Sequence, residues 1–146
     1  MLKCFSVSGY KNFDETIKLD FSDVRDYRFS TECINDGLLG KIIIYGINAA
    51  GKSNFASALH DIRDSRMELS NRNKDDYYLN AKNTKGYAEF QYIFQFGKNT
   101  VEYKYRKTAN RDLVYERIAI DNELLIEYDR DRPDDLRAEN LYSVNI

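Results

Sequence analysis

The sequence predicts an α/β domain with an α+β tendency: a strand–loop–helix unit in the first half and an antiparallel β-meander in the second. An apolar run without alternation, Ile42-Ile43-Ile44-Tyr45, leads into a loop bounded by Gly46 and Gly51. Apolar residues then recur at helical spacing at Phe55, Leu59 and Ile62. After residue 86 the period becomes two, with Ala88, Phe90, Tyr92, Phe94 and Phe96 alternating with Tyr87, Glu89, Gln91, Ile93 and Gln95.

Taken in order, Leu2 to Ser8 and residues 16–21 read as short strands joined by residues 9–15. Residues 22–40 lose any period and contain Gly37 and Gly40, as a surface connection does. The run at 42–45 reads as a strand buried on both faces. A helix is expected from about Lys52 to Met67, with small Ala56 and Ala58 between its larger apolar residues. Residues 68–86 are polar and aperiodic, which predicts a mobile connection. Strands follow at 87–96, about 100–106, 113–120 and 123–128, with turns at Gly97-Lys98-Asn99 and Asp121-Asn122. Such short turns join only antiparallel neighbours. The charged stretch 129–135 around Pro133 is expected to leave the sheet. The whole chain, 1–146, reads as one partial domain, divided into a loop-bearing region 1–67, a connection 68–86, strands 87–128 and a tail 129–146.

The net charge of −2 amid 32% charged residues gives no bulk attraction for nucleic acid or an anionic membrane. The chain shows no leader-like start and no apolar window long enough to span a bilayer, so a cytoplasmic location without membrane contact is expected. Cys4 and Cys33 are too few and too unpatterned for a disulfide framework or a zinc site, and His60 reads as a helix-surface residue.

The chemistry lies in Gly46-Ile47-Asn48-Ala49-Ala50-Gly51-Lys52-Ser53, which has the G-x-x-x-x-G-K-[ST] spacing. Its glycines let the backbone curl so that successive N–H groups aim at phosphate oxygens. Lys52 is placed for the β- and γ-phosphates and Ser53 for Mg²⁺, at the positive end of the following helix. A nucleoside triphosphate with Mg²⁺ is the expected ligand.

Continued through Asn54, the loop resembles the GxNGxGKSN form of ABC-type ATPase heads, frequent in RecF, OLD and structural-maintenance-of-chromosomes relatives. The opening Val7-Ser8-Gly9-Tyr10-Lys11-Asn12-Phe13, followed by Ile17-Lys18-Leu19, also resembles theirs, so the likeness covers residues 1 to about 62. It implies ATP as the nucleotide, with Gly46, Asn48, Ala49, Ala50, Gly51, Lys52, Ser53 and Asn54 around it and Lys11 and Asn12 approaching from the opening turn. It implies a second head, as a homodimer or a completing chain, and action on DNA or RNA through a partner. Residues 35–46 and the aromatic strands resemble the OLD-like bacterial AAA group associated with phage defence. Ala49 departs from the family's glycine and is expected to keep an ordinary φ.

Hydrolysis needs an acidic residue at the end of an apolar strand. The nearest match, Asp121, stands where a hairpin turn is wanted, and Gln91 and Gln95 look like strand residues. The chain therefore reads as the N-terminal lobe of a head, with no catalytic residue assigned and turnover left to a completing segment. Two alternatives stay open. One is a small autonomous phosphotransferase using Asp121; the other is a non-catalytic interaction module whose aromatic antiparallel sheet offers a binding edge or a dimer surface, with Tyr92, Tyr103, Tyr105, Tyr115 and Tyr128 read as packing the sheet in preference to stacking on bases.

Overall fold

The computed structural model describes residues 1–26, 28–66, 77–132 and 136–139. Strands β1 (Leu2–Ser8) and β2 (Ile17–Asp20) pair antiparallel, with Phe5 opposite Leu19 and Val7 opposite Ile17. Within residues 22–40, read from sequence as a plain connection, the chain makes a 3₁₀ turn at Thr31–Cys33. A small hairpin follows, of β3 (Ile34–Asn35) and β4 (Leu38–Leu39). Its turn residues Asp36 and Gly37 both take positive φ, the geometry a two-residue hairpin needs, and Leu38 is buried beneath it.

Helix α1 (Lys52–Arg66) lies where its periodicity predicts, and the expected final residue Met67 falls outside the described residues. The meander follows as β5 (Tyr87–Phe96), β6 (Asn99–Thr108), β7 (Leu113–Ile120) and β8 (Glu123–Asp129). β8 ends at Asp129, residues 133–135 of the stretch expected to leave the sheet lie outside the described residues, and a short β9 (Arg137–Ala138) pairs with Ile126 and Glu127. The strands join in one seven-stranded antiparallel sheet ordered β2-β1-β5-β6-β7-β8-β9. The class is therefore mixed α/β, mainly antiparallel, with one helix among the described residues.

The buried strand expected at 42–45 is not formed, and Ile43 and Tyr45 are 88% and 91% exposed. An apolar run becomes a buried strand only where neighbours accept its backbone groups and cover both its faces, and no described strand does either. The predicted strand–loop–helix unit is thus a loop and helix preceded by an unpaired apolar segment.

The core lies between α1 and one sheet face. Phe5, Phe90, Tyr92 and Tyr105 are fully buried there, with Phe90 stacked on Tyr105 at 5.1 Å between ring centroids. Phe55 of α1 meets Phe5 edge-on at 5.6 Å, and Ala58 lets the helix approach until the Tyr92 hydroxyl donates to its carbonyl at 2.9 Å. Each such large apolar side chain contributes about 1.5–3 kcal/mol on burial. Tyr92, Tyr103 and Tyr105 belong to this interior, so the base-stacking alternative loses its central residues to packing.

A charge cluster crosses the same interface. Asp61 of α1 (7% exposed) and Lys107 of β6 (5% exposed) pair at 2.6 Å, and the Tyr105 and Tyr78 hydroxyls donate to the same carboxylate at 2.9 and 3.1 Å. On the opposite face the ion pairs are half-buried. Glu89 accepts from Lys104 at 2.9 Å and from Arg106 at 2.7 Å, while the Arg106 guanidinium lies between the Tyr87 and Tyr115 rings. Burial pushes the Glu89 carboxyl up, but these two cations outweigh it and hold it below the ordinary carboxylate range.

Removing one partner of a buried pair strands the other charge. Lys107→Met is expected to cost about 3–5 kcal/mol in urea unfolding. Burial, reinforced by the charge of Asp61, also pushes the Tyr78, Tyr92 and Tyr105 phenols upward, and burial with a hydrogen bond to Glu127 pushes Tyr115 up to about 12. The folded chain holds these protons more tightly than the unfolded chain does. The stability they contribute is therefore complete below the ordinary phenol value of about 10 and is lost as pH rises through the folded values. Absorbance titration should show Tyr78, Tyr92 and Tyr105 ionising together with alkaline unfolding, after the exposed tyrosines.

Candidate functional site

The loop is exposed at 46–50 and half-buried at Gly51, and it runs directly into α1, where the Phe55 N–H donates to the Gly51 carbonyl at 2.8 Å. Within it the Ala50 N–H turns back to the Ile47 carbonyl at 3.3 Å. Lys52 folds over the loop, its ammonium donating to the Gly46 and Ile47 carbonyls at 2.7 Å each. Ser53 and Asn48 are exposed, the former in the first turn of the helix. No acidic residue occurs from 41 to 60. Ammonium, hydroxyl and the first-turn N–H groups, which a helix leaves without intrahelical acceptors, thus form a donor set without a carboxylate, which suits a polyphosphate with its metal.

Gly51 suits its position on two counts. Its φ is +92°, and a Cβ built there would stand 2.2 Å from the Asn12 side-chain nitrogen. Asn12 comes from a tight turn in which Tyr10 and Phe13 exchange both backbone bonds, at 3.1 and 2.7 Å, and bury their rings. Those anchors leave Asn12 at the tip, where its carbonyl oxygen accepts from the Asn54 amide at 2.8 Å. The structure therefore brings Asn12 onto the loop and joins it to Asn54. Lys11, at φ +46°, places its ammonium 5.8 Å from the Tyr10 ring centroid, and its backbone is held by the segment that follows residue 76.

That segment was read as part of a mobile connection. Residues 67–76 lie outside the described residues, but 78–83 are folded against the turn. Tyr78 is buried, Leu79 bridges Tyr10, the Asn80 N–H donates to the Gly9 carbonyl at 3.0 Å, and the Asn83 amide donates to the same carbonyl at 2.9 Å. Asparagine-rich composition suggests solvent, yet here the side-chain amides donate to the part-buried backbone carbonyls of Gly9, Lys11 and Tyr87.

Asp121 is a turn residue. It and Asn122 have φ of +49° and +69°, and its carboxylate accepts from the Thr100 N–H at 2.7 Å and hydroxyl at 3.1 Å. Gln91 accepts from the Ser6 hydroxyl and Gln95 donates to the Gly97 carbonyl, both as sheet residues. Sequence reasoning missed Asp61, Lys107 and Tyr78. Lys107 does carry a signal, since it shares the parity of Val101, Tyr103 and Tyr105. Asp61 stands three residues beyond Ala58, on the buried stripe of the helix.

Ala49 does not keep the ordinary φ expected of it. It adopts +63°, the left-handed region, where a Cβ costs about 1–2 kcal/mol. Glycine gives back about 0.4–1 kcal/mol through the freedom of its unfolded chain. Ala49→Gly is therefore expected to raise stability by about 0.5–1 kcal/mol in denaturant titrations.

Among the described residues no helix is long and apolar enough to cross a membrane. A comparison with curated proteins finds no match. The family described as AAA domain, putative AbiEii toxin, Type IV TA system, matches residues 41–143, a span that takes in the loop, α1 and the meander. On that match, and with a loop whose donors suit a polyphosphate, the chain belongs to this family of AAA domains, a P-loop ATPase type that binds nucleotide.

Proposed function

We propose that the chain is the ATP- and Mg²⁺-binding lobe of an ABC-type ATPase head of the RecF and OLD kind, acting through ATP-dependent pairing with a second head. The observation that carries this is the loop itself, with Lys52 folded over its mouth and Asn12 seated on Gly51. Lys52 serves the β- and γ-phosphates, and the N–H groups from Asn48 through Ser53 cradle them. The Ser53 hydroxyl takes a place in the Mg²⁺ shell. Lys11 and Asn12 approach the nucleotide from the opening turn, which the Asn12–Asn54 bond supports for Asn12. Bound Mg²⁺ would neutralise charge on the phosphates, while these residues bind and orient them.

The exposed run at 42–45 supports a site completed by another segment. Consecutive exposed apolar residues with no strand beside them among the described residues, immediately before a phosphate loop, suit added parallel strands that would cover both faces. Asp121, the acid on which an autonomous phosphotransferase would depend, is committed to Thr100 in a hairpin turn. That favours the incomplete lobe. We take the setting to be a phage-defence or DNA-processing system, in which the paired heads work on DNA or RNA through a partner.

Calorimetric titration should find Mg²⁺-dependent ATP binding that Lys52→Ala weakens by about tenfold or more, the loss of a charge-assisted hydrogen-bond set. The chain alone should turn ATP over negligibly. Brisk hydrolysis by the purified monomer, abolished by Lys52→Ala, would overturn the completing-segment reading.

A further inference from the structure

We propose that Asp61 is a positioning residue for the phosphate loop: with Lys107, Tyr105 and Tyr78 it fixes where α1 and the Lys11–Asn12 turn stand relative to each other and to the sheet. The consequence for nucleotide rests on the loop's being an ATP site, whereas the positioning itself does not.

Apolar contact alone specifies this seat weakly. Phe55, Ala58, Leu59 and Ile62 meet an aromatic face, and such burial is non-directional, so a small slide or rotation of the helix sacrifices little area. The carboxylate is different. Its oxygens accept from Lys107 and Tyr105, alternate residues of β6, and from Tyr78 of the bracing segment. A displaced helix would leave a buried charge without its donors, a far larger cost than lost area.

The arm through Tyr78 reaches the loop. The Tyr78 hydroxyl meets Asp61, while its carbonyl accepts the Lys11 N–H at 3.0 Å and the Asn80 amide donates to the Lys11 carbonyl at 2.7 Å. The next residue, Asn12, occupies the space beside Gly51 and accepts from Asn54. Asn54 and Asp61 are both on α1, about 10 Å apart along its axis. The contacts therefore close a circuit: down the helix from Asn54 to Asp61, across to Tyr78, and back through Lys11 and Asn12 to the loop. The geometry of Asn12 on Gly51 is clamped at both ends of that stretch of helix.

The test removes the polar hub without emptying it. In the quadruple variant Asp61→Leu, Lys107→Met, Tyr78→Phe, Tyr105→Phe the site becomes apolar at similar volume, a kind of replacement that often preserves global stability. Amide exchange followed residue by residue should find β5 and β6 protected as in wild type, while the Lys11 and Phe55 amides exchange about tenfold faster or more, the equivalent of one lost anchoring bond. Affinity for ATP with Mg²⁺ should fall in parallel. Wild-type protection at Lys11 and Phe55 in this variant would overturn the proposal. If the quadruple variant does not fold, Tyr78→Phe decides, because it cuts only the arm to the turn. Exchange at Lys11 should then rise by about threefold to tenfold with β5 and β6 unchanged, and an unchanged Lys11 rate would overturn the proposal. If the wild-type chain fails to bind ATP, the reading of the loop falls, and the exchange rates still decide the role of Asp61.

Discussion

The seating of one helix on one sheet face is the constraint from which the rest of the architecture follows. The antiparallel sheet presents stacked rings on that face, and α1 covers them with Phe55, Ala58 and Ile62. Area alone would tolerate several positions of the helix. The Asp61 carboxylate tolerates few, because its partners Lys107, Tyr105 and Tyr78 stand at set places on the sheet and on the segment beside it. Directional contacts of buried charge thus do what apolar packing does poorly, and the loop at the head of α1 inherits the result.

The loop shows the same division of labour. Backbone conformation is demanding at Gly51, where both a positive φ and the absence of a Cβ are needed for Asn12 to sit against it. It is also demanding at Ala49, where the chain accepts left-handed geometry with a side chain present. Strain at a phosphate loop persists only if its surroundings hold it. Here those surroundings are the Tyr10–Phe13 turn, the Asn54 amide and the residues from Tyr78 to Asn83 that brace the turn from behind.

The faces of the sheet serve different ends. One is aromatic and covered by the helix. The other carries a compensated lattice of charge, with Glu89 between Lys104 and Arg106 and with Arg117 paired to Glu102, so it presents no uniform positive field to a nucleic acid. An exposed apolar run lies instead at 42–45, immediately upstream of the loop.

Much of this was legible in the amino-acid sequence, for a local reason. The glycine-bounded loop before α1, the onset of that helix, the alternation of β5 to β8 and the Asp121-Asn122 turn follow from spacing, period and turn chemistry within a few residues of each other. What depends on partners distant in the chain was not. The run at 42–45 has the composition of a buried strand, but a strand exists only through its neighbours, and the described residues supply none. The polar stretch at 77–86 has the composition of a free connection, yet its amides are consumed by Gly9 and Lys11. Asp61 and Lys107 are ordinary surface residues by type and become a buried pair because folding brings together positions 46 apart. Sequence by itself determined where the chain can turn tightly ahead of α1 and which segments can be helix or strand. Tertiary structure decided which of those segments are paired and which charges are buried, because both depend on contacts between residues far apart in the chain.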